Sequence, residues 1–459
     1  MKSENNFWNR RELIRSLVAG STLFPAIIAD LLAAESGLDA VNPLAPKAPH
    51  FPGKAKRMIF LYMTGGVSHI DTFDPKPALM QAAKESKKGP KDREYLPSPW
   101  SSKPRGKSGI EVTDLFPHIS EVIDDICVIR SMTGDHNDHF QAAMGIHTGS
   151  VTLKRPSLGS WVSYGLGTEN RNLPSFVVIA PYLPYAGSQI WSSDFLPGAH
   201  AGTRIVGGSE PVADLRRRAP SPHLQELELS LLDRFNRRHL GARPGDPALA
   251  ARIKSFEVAF GMQSEMPGVL DLSKETDMTL KLYGLERGSN SGFAWQCLIA
   301  RRLAERGVRF IELIDSGSTK NWDSHSEIEQ HEPLARGVDQ PIAALLKDLK
   351  SRGMFEDTLL VWTTEFGRTP WLEPKRGRGH YNKAFATWLA GGGIKGGIAY
   401  GKTDQYGIDI VEKQVHVHDL HATILHCLGF DHTRLTFRHA GRDFRLTDVH
   451  GNVVHDILA

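Results

Sequence analysis

The sequence predicts an α/β fold with a mostly parallel sheet covered on both faces, and three observations predict it. Short apolar, β-branched runs recur at residues 58–63, 126–129, 176–179, 310–314, 359–363 and 385–389, each of a length that favours a buried strand. Amphipathic helical stretches stand before two of them, 295–306 ahead of 310–314 and 342–351 ahead of 359–363, the second with Gly353 placed to close the helix. The chain is also long enough: 459 residues, 40% hydrophobic and 23% charged, allow one large domain or two ordinary ones with an ample core. Helix then strand, repeated, puts helices on both faces of a sheet. Ligands in such sheets gather at the carboxyl ends of the strands.

Composition narrows the function. Lys plus Arg number 55 against 52 Asp plus Glu, a net charge of +3, so nucleic acid is not an electrostatic partner. Cys127, Cys297 and Cys427 are far apart and odd in number, which excludes a disulfide framework and a four-cysteine zinc site and leaves them as small core residues. Histidine is the unusual component. All 20 lie at or beyond residue 50, and 11 fall between His325 and His455, an enrichment that invites a metal.

The amino end reads as an export signal over residues 1–34. Asn9-Arg10-Arg11-Glu12-Leu13-Ile14-Arg15 precedes an apolar stretch at 17–28, too short to span a bilayer, and Ala33 and Ala34 supply small residues beyond it. The pair Arg10-Arg11 resembles a twin-arginine signal, which predicts export of a folded, cofactor-loaded protein to the periplasm and no integral membrane span after its removal. The competing reading is a short buried helix with surface arginines. Residues 35–56, proline-rich from 41 to 52, read as a linker and leave 57–459 as the domain. Two stretches look like additions to it: a Lys-, Pro-, Gly- and Ser-rich excursion at 81–109, and a charged helical insertion at about 210–290 with the solvated run Arg216-Arg217-Arg218.

Five clusters carry metal-ligating or anion-binding side chains. The first, Gly65-Gly66-Val67-Ser68-His69-Ile70-Asp71, follows the first strand, and its glycines permit a tight turn with free amides; Asp71 reads equally as a ligand or as turn chemistry. The second, Asp135-His136-Asn137-Asp138-His139, precedes a helix that Asp138 would cap. The third is Asn321-Trp322-Asp323-Ser324-His325, where an extended chain points Asp323 and His325 the same way. Glu365 ends an apolar strand, where a carboxylate without a counter-charge is costly, and Arg368 either binds an oxyanion or pairs with Glu365. His380 lies in a glycine-rich loop before another strand. His416, His418, His421 and His426 follow a helical period and read as structural.

Together these motifs resemble the domain of unknown function 1501 family, a branch of the alkaline phosphatase and sulfatase superfamily. The resemblance runs from about Arg57 to Leu458 and rests on residues 65–77, Trp322-Asp323-Ser324-His325, Thr364-Glu365-Phe366-Gly367-Arg368-Thr369-Pro370, Gly379-His380 and residues 441–448. It implies a three-layer α/β/α sandwich of the alkaline phosphatase type with divalent metal (zinc, manganese, calcium or magnesium) at the strand ends. By position it implies Asp71, Asp323, His325, Glu365 and His380 as metal ligands, with His136 beside them. It further implies hydrolysis of a sulfate or phosphate ester, of a small molecule or a glycan, with Arg368 stabilising developing charge. The sequence departs from the hydrolytic pattern twice. His139 stands where those members start their helix with Ser, Thr or Cys, and Phe366 stands where many have a histidine. The first departure leaves open a direct role for His139, attack by a metal-bound water, or a non-catalytic periplasmic binding protein for sulfated or phosphorylated glycans.

Overall fold

The computed structural model of the chain describes residues 42–459 except 213, 214, 216, 218 and 244–246. The export signal, the start of the linker, Arg216 and Arg218 lie outside the described residues.

Nine strands form one sheet: β1 (Arg57–Tyr62), β2 (Ile126–Thr133), β3 (Phe176–Ile179), β4 (Thr203–Ile205), β5 (Phe310–Ile314), β6 (Thr358–Thr363), β7 (Phe385–Ala390), β8 (Ile398–Tyr400) and β9 (Val415–His416). Their spatial order is β8-β2-β7-β6-β1-β5-β3-β4, with β9 also paired to β2. Every pairing is parallel except those of β7, which runs against both β2 and β6. The sheet is therefore mixed and mostly parallel, and β1 sits near its middle with both edges far away.

Alternation along β1 divides the core in two. Met58, Phe60 and Tyr62 face one layer with α1 (His139–Thr148), α2 (Leu158–Leu166) and α7 (Val417–Cys427), whereas Ile59 and Leu61 face the other. That second layer holds α4 (Pro247–Leu270), α5 (Phe293–Glu305) and α6 (His331–Ser351). The result is a three-layer α/β/α sandwich.

The insertion is a helical hairpin in which α4 sinks Val258, Met262, Met266 and Val269 into the core, while every residue of α3 (Pro222–Gly241) is exposed or half-buried. The excursion at 81–109 turns into an antiparallel ribbon, Ser102–Arg105 with Ile110–Thr113. Residues 42–56 lie along the body: Lys47 N donates to Leu166 O at 2.9 Å, Phe51 N to Gly429 O at 3.1 Å, and Leu44 is buried. No helix among the described residues is long and apolar enough to cross a membrane.

This topology positions chemistry because β1, β2, β5 and β6 all end on the same side of the sheet. From those ends the chain continues into Thr64-Gly65-Gly66, Asp135–His139, Asp315–His325 and Thr364–Arg368. Asp138 caps α1, its side chain accepting Phe140 N at 3.0 Å, and Gly149 closes the helix at φ +67°.

Two buried histidines tie stability to pH. His331 accepts Ser68 N at Nε2 (3.1 Å) and meets Ser324 Oγ at Nδ1 (3.0 Å), and His200 Nδ1 meets Ser163 Oγ at 2.8 Å. Burial drives both down to about 3. Each is neutral in the fold yet takes a proton in the unfolded chain below about pH 6.5, so unfolding binds protons in acid. Stability is therefore expected to hold above pH 6.5 and to fall as pH drops from about 6.5 towards 3, with each histidine adding about 1 kcal/mol per pH unit to the slope. Melting followed by circular dichroism from pH 7.5 to 4 checks this; a flat profile below pH 6.5 contradicts it.

Candidate metal centre

The site is built around two carboxylates of opposite exposure. Glu365 is 2% exposed and follows β6, where Oε1 accepts Gly65 N at 2.8 Å and Oε2 accepts Tyr62 OH at 3.0 Å and Thr364 Oγ1 at 3.1 Å. His139 Nδ1 completes it, donating to Oε1 at 2.8 Å. Burial pushes this carboxyl up, but the hydrogen bond and charge of His139 and the backbone amides outweigh it and hold Glu365 below its ordinary value.

Asp323 is half-buried at the mouth. Its Oδ1 accepts Arg368 Nη2 at 2.7 Å and lies 3.1 Å from His325 Nε2 and 3.2 Å from His380 Nε2, and Oδ2 accepts Tyr185 OH at 3.4 Å. Burial raises its pKa, and contacts with His139, His380 and Arg368 drive it far below the usual carboxylate range. His139 Nε2 stands 3.2 Å from Oδ2 but is poorly aligned for a hydrogen bond, so that contact is chiefly electrostatic. For His139 itself burial lowers the pKa, yet the two carboxylates raise it to about 9. Tyr185 stacks on its ring, with centroids 4.0 Å apart.

The donor set fits a cation. His380 Nδ1 donates to Asn137 O at 2.7 Å, which fixes the tautomer and leaves the lone pair on Nε2 of the neutral ring. That lone pair faces Asp323 Oδ1 at 3.2 Å and His325 Nε2 at 2.8 Å. Acceptors pointed at one another repel unless a proton or a metal lies among them. His139, Asp323 and His380 each bring a ligand atom within 4.8 Å of the others. A carboxylate with imidazoles suits a borderline divalent ion.

The glycine turn after β1 makes this convergence possible. Gly65 has φ +114°, and a Cβ there would stand 2.7 Å from the amide nitrogens of Trp322 and Asp323; one on Gly66, at φ +78°, would stand 2.5 Å from the Phe366 ring.

Of the residues expected at the site, His139, Asp323, His325, Glu365 and His380 come together. Asp71 does not. Its fully buried carboxylate takes a two-pronged ion pair from Arg378, at 2.7 and 3.1 Å, with Ser68 Oγ at 2.5 Å, because the turn at 65–70 carries it past the strand ends. His136 also stands apart, accepting Asp138 N at Nδ1 (3.0 Å) and supporting the α1 cap. Arg368 is present but internal: Nε donates to Gly66 O at 2.8 Å, Nη1 to Arg378 O at 3.1 Å, and Nη2 to Gly65 O, Trp322 O and Asp323. It clamps the loops together and has little left for an oxyanion. Tyr185 and Tyr62 are site residues without a sequence signal, since each sits in a stretch of ordinary composition, whereas Asn321, inside the third cluster, donates to Tyr185 OH at 3.2 Å.

The chain matches, over residues 55–458, the family described as "Protein of unknown function (DUF1501)". It belongs to that family. No curated protein matches it. Among solved structures this family member is similar to Ps i-CgsB in complex with k-i-k-neocarrahexaose, at 11% identity over 81% of this chain and 72% of the other, with TM-score 0.35. It is also similar to PsFucS1 sulfatase from Pseudoalteromonas sp., at 11% identity over 82% and 68% with TM-score 0.34. A third is alkaline phosphatase from the Antarctic bacterium TAB5, at 10% identity over 74% and 92% with TM-score 0.28.

Replacing Arg368 by Met is expected to lower stability by about 3–5 kcal/mol, because the carbonyls of Gly65, Gly66 and Trp322 and the Asp323 carboxylate lose a buried partner. Urea unfolding measures it. Unchanged stability would return Arg368 to a substrate-binding role.

Proposed function

We propose that this protein is an exported, metal-dependent hydrolase of sulfate or phosphate esters, reaching the periplasm by the twin-arginine route. The observation that supports this most is the convergence of Asp323, His325 and His380 at the strand ends, with the His380 lone pair fixed towards the carboxylate by Asn137 O. Asp323, His325 and His380 would hold the ion, which when bound polarises the ester oxygen and lowers the pKa of attacking water.

The chain's own groups do the rest. His139 stands at the start of α1 and is hydrogen-bonded at Nδ1 to Glu365, an arrangement that orients the ring and strengthens it as a base. Its Nε2 faces the cluster, so the neutral ring, which prevails above about pH 9, can take a proton from attacking water or attack the ester itself. Glu365 stabilises the positive ring that results. Tyr185 covers one face of the imidazole and keeps it in that orientation. Amides at the α1 start favour a negative group beside His139.

A second reading is favoured by one observation, the commitment of Arg368 to internal acceptors, which removes the obvious oxyanion partner. On that reading the fold binds sulfated or phosphorylated glycans without turnover.

The test measures bound metal and turnover of aryl sulfate and aryl phosphate by the purified protein. His380→Ala is expected to lower both, and His139→Ala to retain the metal and lose at least a hundredfold in rate. Metal held without turnover of either ester establishes the binding protein.

A further inference from the structure

A second convergence of ligand atoms lies on the other side of the loop at 134–139. His416 Nε2 is 3.0 Å from Asp135 Oδ1, and His418 brings a ring nitrogen within 4.8 Å of the ligand atoms of both. The three line a cavity of about 510 Å³ together with Asp419, His450 and Asn452. His418 is 6% exposed, and its Nδ1 is buried with no hydrogen-bond partner. A buried imidazole nitrogen left unpaired calls for an explanation, because it has lost water without gaining a partner.

The surroundings keep that ring neutral. Burial, then the stacked rings of His416 and His450 at 5.0 and 5.1 Å, lower His418 to about 4, so it presents a lone pair rather than a charge. Asp135 is the carboxylate within reach. Asp419 is already committed, its Oδ2 accepting His416 N at 2.9 Å and its Oδ1 accepting Asn452 N at 2.7 Å, which fixes the start of α7 and the loop beyond it.

We propose that Asp135, His416 and His418 form a second site, for a divalent transition cation of the zinc class, separate from the Asp323 cluster. Two imidazoles and one carboxylate are a donor set that such ions prefer over magnesium or calcium. As the side chains stand, His416 Nδ1 accepts His418 N at 3.2 Å, so its proton sits on Nε2 and is shared with Asp135. The cation takes the place of that proton, which passes through solvent to Nδ1. One capping hydrogen bond is lost and three metal–ligand bonds form.

The site has a structural consequence. Asp135, Asn137 and His139 lie on one short loop, spanning at most about 14 Å. Asp135 faces the second site, Asn137 O holds His380, and His139 stands at the first cluster. An ion on Asp135 therefore fixes the segment that orients His139 and His380. This consequence rests on the proposed function; ion binding does not.

Zinc titration by calorimetry of the chelator-treated full chain tests the proposal. A background carrying Asp323→Ala and His380→Ala is expected to bind one zinc per chain, and its cobalt complex to show visible absorption of a nitrogen–oxygen site. Adding His418→Ala should weaken that binding at least a hundredfold, and Asp135→Asn, at an exposed position where folding is not at issue, at least tenfold. A background that binds no zinc, or binds it equally after both substitutions, overturns the proposal. Wild-type protein that holds zinc here while lacking ester turnover leaves the second site standing and removes the hydrolase reading.

Discussion

A buried negative charge at the end of a central strand is the constraint on which the rest of the site depends. Glu365 has left water almost completely, and without compensation its ionised form would cost several kcal/mol. Tyr62, the Gly65 amide, Thr364 and His139 come from the end of β1, the turn after it, the residue before Glu365 and the start of α1. Satisfying one carboxylate thus fixes the relative positions of three loops. The imidazole it draws in is the one that faces Asp323.

A second layer of charge holds those loops from behind. Arg368 joins the carbonyls of the 65–66 turn, Trp322 and the Arg378 backbone, and Arg378 in turn binds Asp71. All of these groups are buried, so the ion pairs and carbonyl contacts specify one loop arrangement more than they add net stability. The two arginines act as cross-braces, and Arg368 Nη2 also reaches Asp323 Oδ1 at the mouth of the site.

Much of this was legible in the sequence for local reasons. The six apolar runs are strands because buried central strands need continuous apolar sequence. Strands β4, β8 and β9 are only two or three residues long, too short to show a period, and they sit at the periphery. The reversed direction of β7 was invisible, since a fully buried strand reads alike in parallel and antiparallel pairing. Asp323, His325, Glu365, His380 and His139 stood out because rare ligand types lay just past strand ends. Asp71 misled by the same rule. It is the first acid after β1 in the sequence, but in the fold its carboxylate pairs with Arg378, 307 residues away.

The sequence by itself determined that polar ligand residues would follow apolar strands, because strand length, apolar continuity and glycine turns are local properties. It also placed carboxylates and imidazoles in the loops that leave those strands. Only the tertiary structure decided which of them meet, which arginine faces inward, and that Tyr185 covers His139. Those outcomes depend on distances between segments far apart in the chain, where packing of β1 between β5 and β6 and the close approach allowed at Gly65 set the geometry.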